Sequence, residues 1–317
     1  MLDLQQLVDD TYAEAFRSIY GEILVTARDE KWLRHCVNAI TGHSSSTILC
    51  DCEAGVAQWI GLGGTDGGSS TPLSTPDGRV GAVIQFHVPR FRKDRREHLE
   101  QVMLARISQN ALTCPTIRCF NRLETDDYFK LGRKIAFFGD HHQFRDTRFG
   151  KPGWVIPTLG GEFFLSRRFG FQDGVMGGNL WFFGATDEAA LEAAEKAAIA
   201  AEATPDTILP FPGGVAASGS KAGSSYKFLI ASTYAEYCPT LKAKLGAASK
   251  VPDGVVSIQE IIINGRDQNS LNVATAAAIR AAADTPNLRR ISAGNYGGRL
   301  GKTFVHLHEV LGLRSKT

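Results

Sequence analysis

No C-x-x-C pair occurs in this 317-residue chain, and no apolar run approaches the ~20 residues needed to span a bilayer. The first argues against a zinc ribbon or a thioredoxin-like centre, and the second against a membrane-spanning helix. Excess charge is also scarce. A formal net charge of +2 gives no general nucleic-acid footprint. The start, Met1-Leu2-Asp3-Leu4, lacks the basic and apolar regions of a secretory signal, so a cytoplasmic protein is expected. No nucleophile elbow and no Ser-His-Asp order is present, which leaves an acyl-enzyme route without support. Cys36, Cys50, Cys52, Cys114, Cys119 and Cys238 are read as free thiols. Cys50 and Cys52 are predicted on one face of a strand, too close along the chain for an ordinary disulfide.

What is present is an ordinary globular composition, 43% hydrophobic and 21% charged, long enough for about two domains. Asp10 to Phe16 is predicted as a helix or lid, and Gly21 to Ala27 as a strand. Asp29 caps a helix with Trp32, Cys36, Val37 and Ile40 on one face, closed by Gly42. Thr47 to Cys50 and Gly81 to Val88 read as strands, and the Gly- and Ser-rich stretch from Gly61 to Thr71 as a flexible loop. A helix from Glu97 to Leu112 buries Leu99, Met103 and Ile107. Strands follow around Ile117 to Phe120 and Ile135 to Phe138.

The second half repeats this order. A helix opens at Ala185-Thr186-Asp187-Glu188, Thr207-Ile208-Leu209 follows it, and Ile258-Gln259-Glu260 precedes a helix from Asn269 to Ala283. The duplication implies an α+β chain of two related lobes, each a ferredoxin-like split β-α-β unit with an antiparallel sheet. The lobes are expected at residues 1–157 and 158–317, with Phe86 in the first copy where the second has Glu260.

Val255 to Gly265 carries the sharpest chemical signal. This β-branched run ends in Asn264-Gly265 and reads as a strand closed by a turn. Alternation puts Glu260 on one face with Ile258 and Ile262. A carboxyl group there loses solvation, which favours its neutral form and suits it to donate a hydrogen bond to a developing oxyanion. The competing reading is a structural Glu at an edge strand, in water or paired with an arginine.

Three loops could line a ligand. Phe211 to Gly223 contains Gly213, Gly214, Ser218, Gly219, Ser220 and Lys221. It nearly spells a phosphate-binding loop, but Ser220-Lys221 reverses the order that motif requires. A small-molecule loop with exposed amides fits better. Gly174 to Asn179 and Ser292 to Gly298 pair glycines with Asn179 and Asn295, and each also reads as a plain turn. His141-His142 and His306-x-His308 lack a third ligand, so no metal site is expected. Arg90, Arg92, Lys93, Arg95 and Arg96 form a solvated basic face or a seat for an anionic tail.

Taken together, the segments DTYAEAF from Asp10, Glu53 to Gly55, Thr75 to Arg79, Leu112 to Thr116 and Phe137 to Asp140 resemble the amino-terminal half of one family. Gly161 to Phe163, Gly177 to Asn179, Pro210 to Gly214, Ala217 to Lys221, Ile263 to Gly265 and Ile291 to Asn295 resemble the remainder. The family is formylmethanofuran–tetrahydromethanopterin N-formyltransferase. The resemblance implies formyl transfer between the amine of a methanofuran-type carrier and N5 of a tetrahydromethanopterin-type pterin, without a metal or redox cofactor. It places Glu260 on the family's catalytic glutamate. Gly213, Gly214, Ser218, Gly219, Ser220, Lys221, Asn179 and Asn295 are the expected substrate-binding residues. The Gly61 to Thr71 stretch and Cys50-Asp51-Cys52 depart from the archaeal pattern and resemble the methylotrophic bacterial version. That version is a subunit of a formyltransferase/hydrolase complex using methylofuran in formaldehyde oxidation. Implied partners are further copies of the chain, as a dimer or tetramer, and an amidohydrolase-like subunit, with no nucleic acid or membrane. The alternative is a non-catalytic carrier-docking or assembly subunit.

Overall fold

The computed structural model describes residues 4–62, 75–299 and 301–313. Its contacts divide the chain into two compact units, Ser18–Gly174 (the first unit) and Met1–Arg17 with Val175–Thr317 (the second).

The strand Tyr12–Ala27 enters the first unit at Ser18 and leads into the helix Glu30–Thr41. Asp29 caps that helix, its carboxylate accepting from Trp32 N, and Leu33, Cys36, Val37 and Ile40 are buried beneath it. The strands Glu53–Ile60 and Val80–Pro89, the helix Arg95–Arg106 and the strand Arg118–Asn121 follow. Tyr12–Ala27 pairs antiparallel with both Val80–Pro89 and Arg118–Asn121, and Val80–Pro89 pairs with Glu53–Ile60. Leu99, Met103 and Ile107 lie in the core below the sheet as expected, though the helix gives way at Ile107 to a π-helical turn ending at Ala111.

The second unit repeats the plan. Phe169–Gly184 supplies its first strand, and Thr186 caps the helix Asp187–Glu202. The short strands Thr207–Ile208 and Val215–Ala216, the strand Ser257–Gly265, the helix Gln268–Ala282 and the strand Leu288–Ser292 complete it. Ser257–Gly265 is an interior strand, antiparallel to Phe169–Gly184 on one side and to the two short strands on the other. The two helices pack together and bury alanines in a shared core, Ala193, Ala194, Ala197, Ala198 and Ala201 from one and Ala274, Ala278 and Ala282 from the other. Methyl-sized side chains let the backbones approach closely while losing almost no rotamer entropy. The fold class is therefore α+β, with two related ferredoxin-like lobes of antiparallel sheet.

Several local expectations were overturned. Asp10 to Phe16 is not a helix: Tyr12–Ala15 pairs with Thr303–His306, a partner nearly the whole chain away. Thr47 to Cys50 is a turn, so Cys50 and Cys52 do not share a strand face. Ile135 to Phe138 closes a short helix, Leu131–Ala136, and its following turn. Ile135 and Ala136 reach the core from this helix, whereas Phe137 and Phe138 are both exposed, so the apolar run is divided between core and surface instead of forming a strand. Gly174 to Asn179 runs inside a 16-residue strand instead of a turn. Most of the Gly61 to Thr71 stretch lies outside the described residues.

The internal repeat also needs a new register. Aligning the helix caps Asp29 and Thr186 matches Leu24 with Trp181. Leu24 pairs with Val83 and Trp181 pairs with Glu260. Val83, not Phe86, is thus the counterpart of Glu260, and Phe86 corresponds to Ile263 on the helix-covered face.

Candidate active site

Glu260 occupies the face of its strand turned away from the two helices, whereas its neighbours Ile261 and Ile263 enter the helix-covered core. The residue is only 7% exposed, on an interior strand, with no arginine partner among the described residues. The edge-strand and arginine-paired readings therefore fail. Across the ladder, the same face of Phe169–Gly184 presents Asn179 and Trp181. Asn179 Nδ2 donates to Glu260 Oε1 at 2.8 Å, and Trp181 Nε1 donates to the same oxygen at 2.9 Å. No described residue bonds to Oε2. Burial pushes the carboxyl above its ordinary range, opposed by these two donors, which favour the charged form.

Aromatic rings wall this carboxyl group. Trp181 meets Tyr237 with ring centroids 4.7 Å apart and Tyr234 edge-on at 5.6 Å. Tyr296 stacks on Tyr234 at 6.0 Å. The phenol of Tyr296 is driven well up, first by burial and then by the negative charge available on Glu260. Its hydroxyl donates to the Ser220 carbonyl at 2.7 Å, which ties the Ser292 to Gly298 loop to the Phe211 to Gly223 loop.

Both loops reach the carboxyl group through the ladder. Ala216 is the register partner of Glu260, so Ser218 and Gly219 leave the sheet directly beside it. Ser218 is exposed, and Gly219, Ser220 and Lys221 are half-buried. Gly213 and Gly219 have φ of 61° and 50° with open space at the missing Cβ, so both amides sit on accessible backbone. Gly214 differs: a Cβ there would meet that of Ala198 at 2.8 Å, so this glycine permits close packing on a helix.

The other loop is held from beneath. Glu14, 2% exposed, accepts from the amides of Tyr296, Gly298 (2.7 Å) and Gly301 (3.3 Å). A Cβ at Gly301 would stand 2.0 Å from the Ala15 carbonyl oxygen, so only glycine fits there. Asn295, expected among the substrate-binding groups, donates from Nδ2 to Thr11 Oγ1 at 2.8 Å. Asn179, expected likewise, directs its amide at Glu260 and accepts from Gly294 N at 3.2 Å.

Trp181, Tyr234, Tyr237, Tyr296 and Glu14 escaped sequence reading. Once Phe169–Gly184 is a strand, the i,i+2 spacing of Asn179 and Trp181 sets them on one face, and only the pairing register puts that face opposite Glu260.

The remaining candidates separate from this cluster. His308 Nε2 lies 2.8 Å from the Val8 carbonyl, so the ring is a structural donor; it also sits in a short helix rather than on a strand face with His306. Among the described residues no group of three His, Cys, Asp or Glu side chains could hold a metal. In the basic run, Arg92 pairs with Asp94 at 2.9 Å and Arg96 with Asp127 at 3.1 Å, and Arg90 pairs with Asp173. Local acids thus neutralise much of that face.

Comparison with known proteins gives a consistent picture. Residues 4–158 match the family model described as formylmethanofuran-tetrahydromethanopterin formyltransferase, and residues 161–310 the model described as FTR, proximal lobe. The chain is 39% identical over 308 residues to the formylmethanofuran–tetrahydromethanopterin formyltransferase of Methanocaldococcus jannaschii, covering 96% of this chain and 97% of that one. The solved formyltransferase of Methanosarcina barkeri superposes with a TM-score of 0.89 at 37% identity, over 98% of this chain and 100% of that one. A chain of the formyltransferase/hydrolase complex of Methylorubrum extorquens, solved with methylofuran, superposes with a TM-score of 0.88 at 35% identity, over 98% of each chain.

Proposed function

This chain belongs to the formylmethanofuran–tetrahydromethanopterin formyltransferase family, and we propose that Glu260 carries its transfer chemistry as a neutral acid. The substrates are a methanofuran- or methylofuran-type formamide and a tetrahydromethanopterin-type pterin, which exchange a formyl group directly. The pterin N5 lone pair attacks the formamide carbon, and the carbonyl electron pair moves onto oxygen. Glu260 Oε2–H donates to that oxygen in the tetrahedral intermediate. Collapse returns the proton to Glu260 and breaks the bond to the carrier nitrogen, which leaves as the free amine with the proton that N5 sheds.

The observation that carries this reading is the environment of Glu260. The group is desolvated, flanked by donors on one oxygen only, and unmatched by any cation among the described residues. An uncompensated buried carboxylate is unfavourable, whereas a neutral acid is a hydrogen-bond donor ready for an oxyanion. Gly213, Gly219, Ser218, Ser220 and Lys221 line the approach in this reading, and the Trp181, Tyr234 and Tyr296 rings offer a flat surface to a bicyclic heterocycle.

The likeness to the Methylorubrum extorquens complex supports a subunit of a formyltransferase/hydrolase assembly; in this reading it works in the cytoplasm with further copies of itself. The decisive experiment is formyl transfer by the purified chain, wild type against Glu260→Gln. Wild-type transfer with a large loss in the variant supports the assignment. Equal rates would refute the role of Glu260, and a folded wild type that binds both carriers without transfer would mark a docking subunit.

A further inference from the structure

Both donors to Glu260 converge on one oxygen, and this asymmetry has a chemical consequence. An asparagine Nδ2 and an indole Nε1 only donate. Oε1, receiving both at 2.8 and 2.9 Å, must act as an acceptor. In a neutral carboxyl group the carbonyl oxygen is the strong acceptor and the hydroxyl oxygen a poor one. The acid proton is therefore confined to Oε2, the oxygen that no described residue engages. The orientation of the Asn179 amide is itself set. Its Oδ1 accepts from Gly294 N, which turns Nδ2 toward Glu260. Gly294 cannot be replaced freely, since a Cβ there would lie 2.7 Å from both Asn179 Nδ2 and the Trp181 ring.

We propose that Trp181 and Asn179 are positioning residues that select the protonated oxygen of Glu260, presenting its O–H outward from Oε2 toward the reacting formamide. The proposal rests on the reading of Glu260 as the acid. It adds that the same two N–H groups remain on Oε1 when the proton moves toward the substrate, so they also stabilise the carboxylate forming in the transition state. Burial of the group keeps it neutral beforehand, and the pair limits how reluctant it is to give the proton up.

Trp181→Phe removes one donor and keeps an aromatic ring against Tyr237. Losing a hydrogen bond to a forming charge should lower kcat about tenfold, with little change in KM for either carrier. Because the lost donor favoured the carboxylate, the basic limb of the rate profile should move up by about one pH unit. Infrared difference spectra, wild type minus Glu260→Gln, isolate the Glu260 carboxyl band without any turnover. In Trp181→Phe that band should shift to higher frequency, and its titration midpoint should rise together with the kinetic limb. Asn179→Leu should act in the same direction and serves if the Phe variant fails to fold.

A fall in kcat with an unmoved band and limb would reduce Trp181 to packing and overturn the proposal, as would an unchanged kcat. If the wild type transfers no formyl group yet the band responds as described, the formyltransferase reading fails while the pairing stands.

Discussion

On corresponding sheet faces the two units carry opposite solutions to burying polar groups. In the second unit, Glu260 receives two donors on one oxygen and leaves the other uncommitted. In the first unit the matching position is Val83, paired with Leu24, and the polar groups around it are chained to one another. Ser18 Oγ bonds to His87 Nδ1 at 3.0 Å, His87 Nε2 to Gln85 Oε1 at 3.1 Å, and Gln85 Nε2 donates to Glu22 Oε2 at 2.8 Å. Tyr20 stacks on His87 with centroids 4.9 Å apart and accepts from Gln172. Desolvation drives His87 down to about 3, so it is neutral and serves as a link in the chain, not as a switch near neutral pH. A shared fold thus supplies a platform, and the side chains set on one strand face decide whether a polar group is spent on internal bonding or left with one oxygen unengaged among the described residues.

That contrast is open to direct attack. The largest effect is expected from Glu260→Gln, which keeps the shape of the side chain but weakens the donor; kcat should fall ~10²–10³-fold with folding intact. Transplanting the carboxyl group tests the platform instead. Val83→Glu places an acid at the matching site with apolar Leu24 in place of Trp181, and urea unfolding should register a loss of about 3 kcal/mol with no new activity. Unchanged stability there would mean the first unit tolerates an unpaired acid and that the donors of the second are incidental.

Glu14→Ala strips three amides of their shared acceptor. It should destabilise the protein by about 2 kcal/mol and speed hydrogen exchange of Tyr296 and Gly298 selectively; uniform exchange would show that the loop is held by other contacts.

The smallest effect is a pH dependence of stability. The folded carboxyl of Glu260 is shifted above its unfolded value, so its stabilisation is complete below the unfolded pKa and is lost as pH rises through the folded one. Denaturant midpoints of wild type should therefore fall relative to Glu260→Gln across that interval. Parallel curves would contradict the raised pKa.

Much of this was legible beforehand where local rules decide. Asp29 and Thr186 are helix caps whose side chains satisfy amides a few residues away. The strand character of Ser257–Gly265 follows from its β-branched run, and its period of two correctly set Glu260 apart from Ile261 and Ile263. Non-local pairings were not legible. Asp10 to Phe16 carries no strand signal strong enough to reveal a partner near residue 305, and Phe137 with Phe138 mimics a strand while lying exposed. The repeat was visible but misregistered by three residues, because a patchy match between Ile84-Gln85-Phe86 and Ile258-Gln259-Glu260 outweighed the helix caps.

Sequence alone established the α+β class, the duplicated plan and a carboxyl group set among isoleucines, since periodicity and capping act over a few residues. Tertiary structure alone decided which oxygen of that group is bonded. Asn179 and Trp181 lie about eighty positions from Glu260, and only the register of two antiparallel strands brings their N–H groups to Oε1.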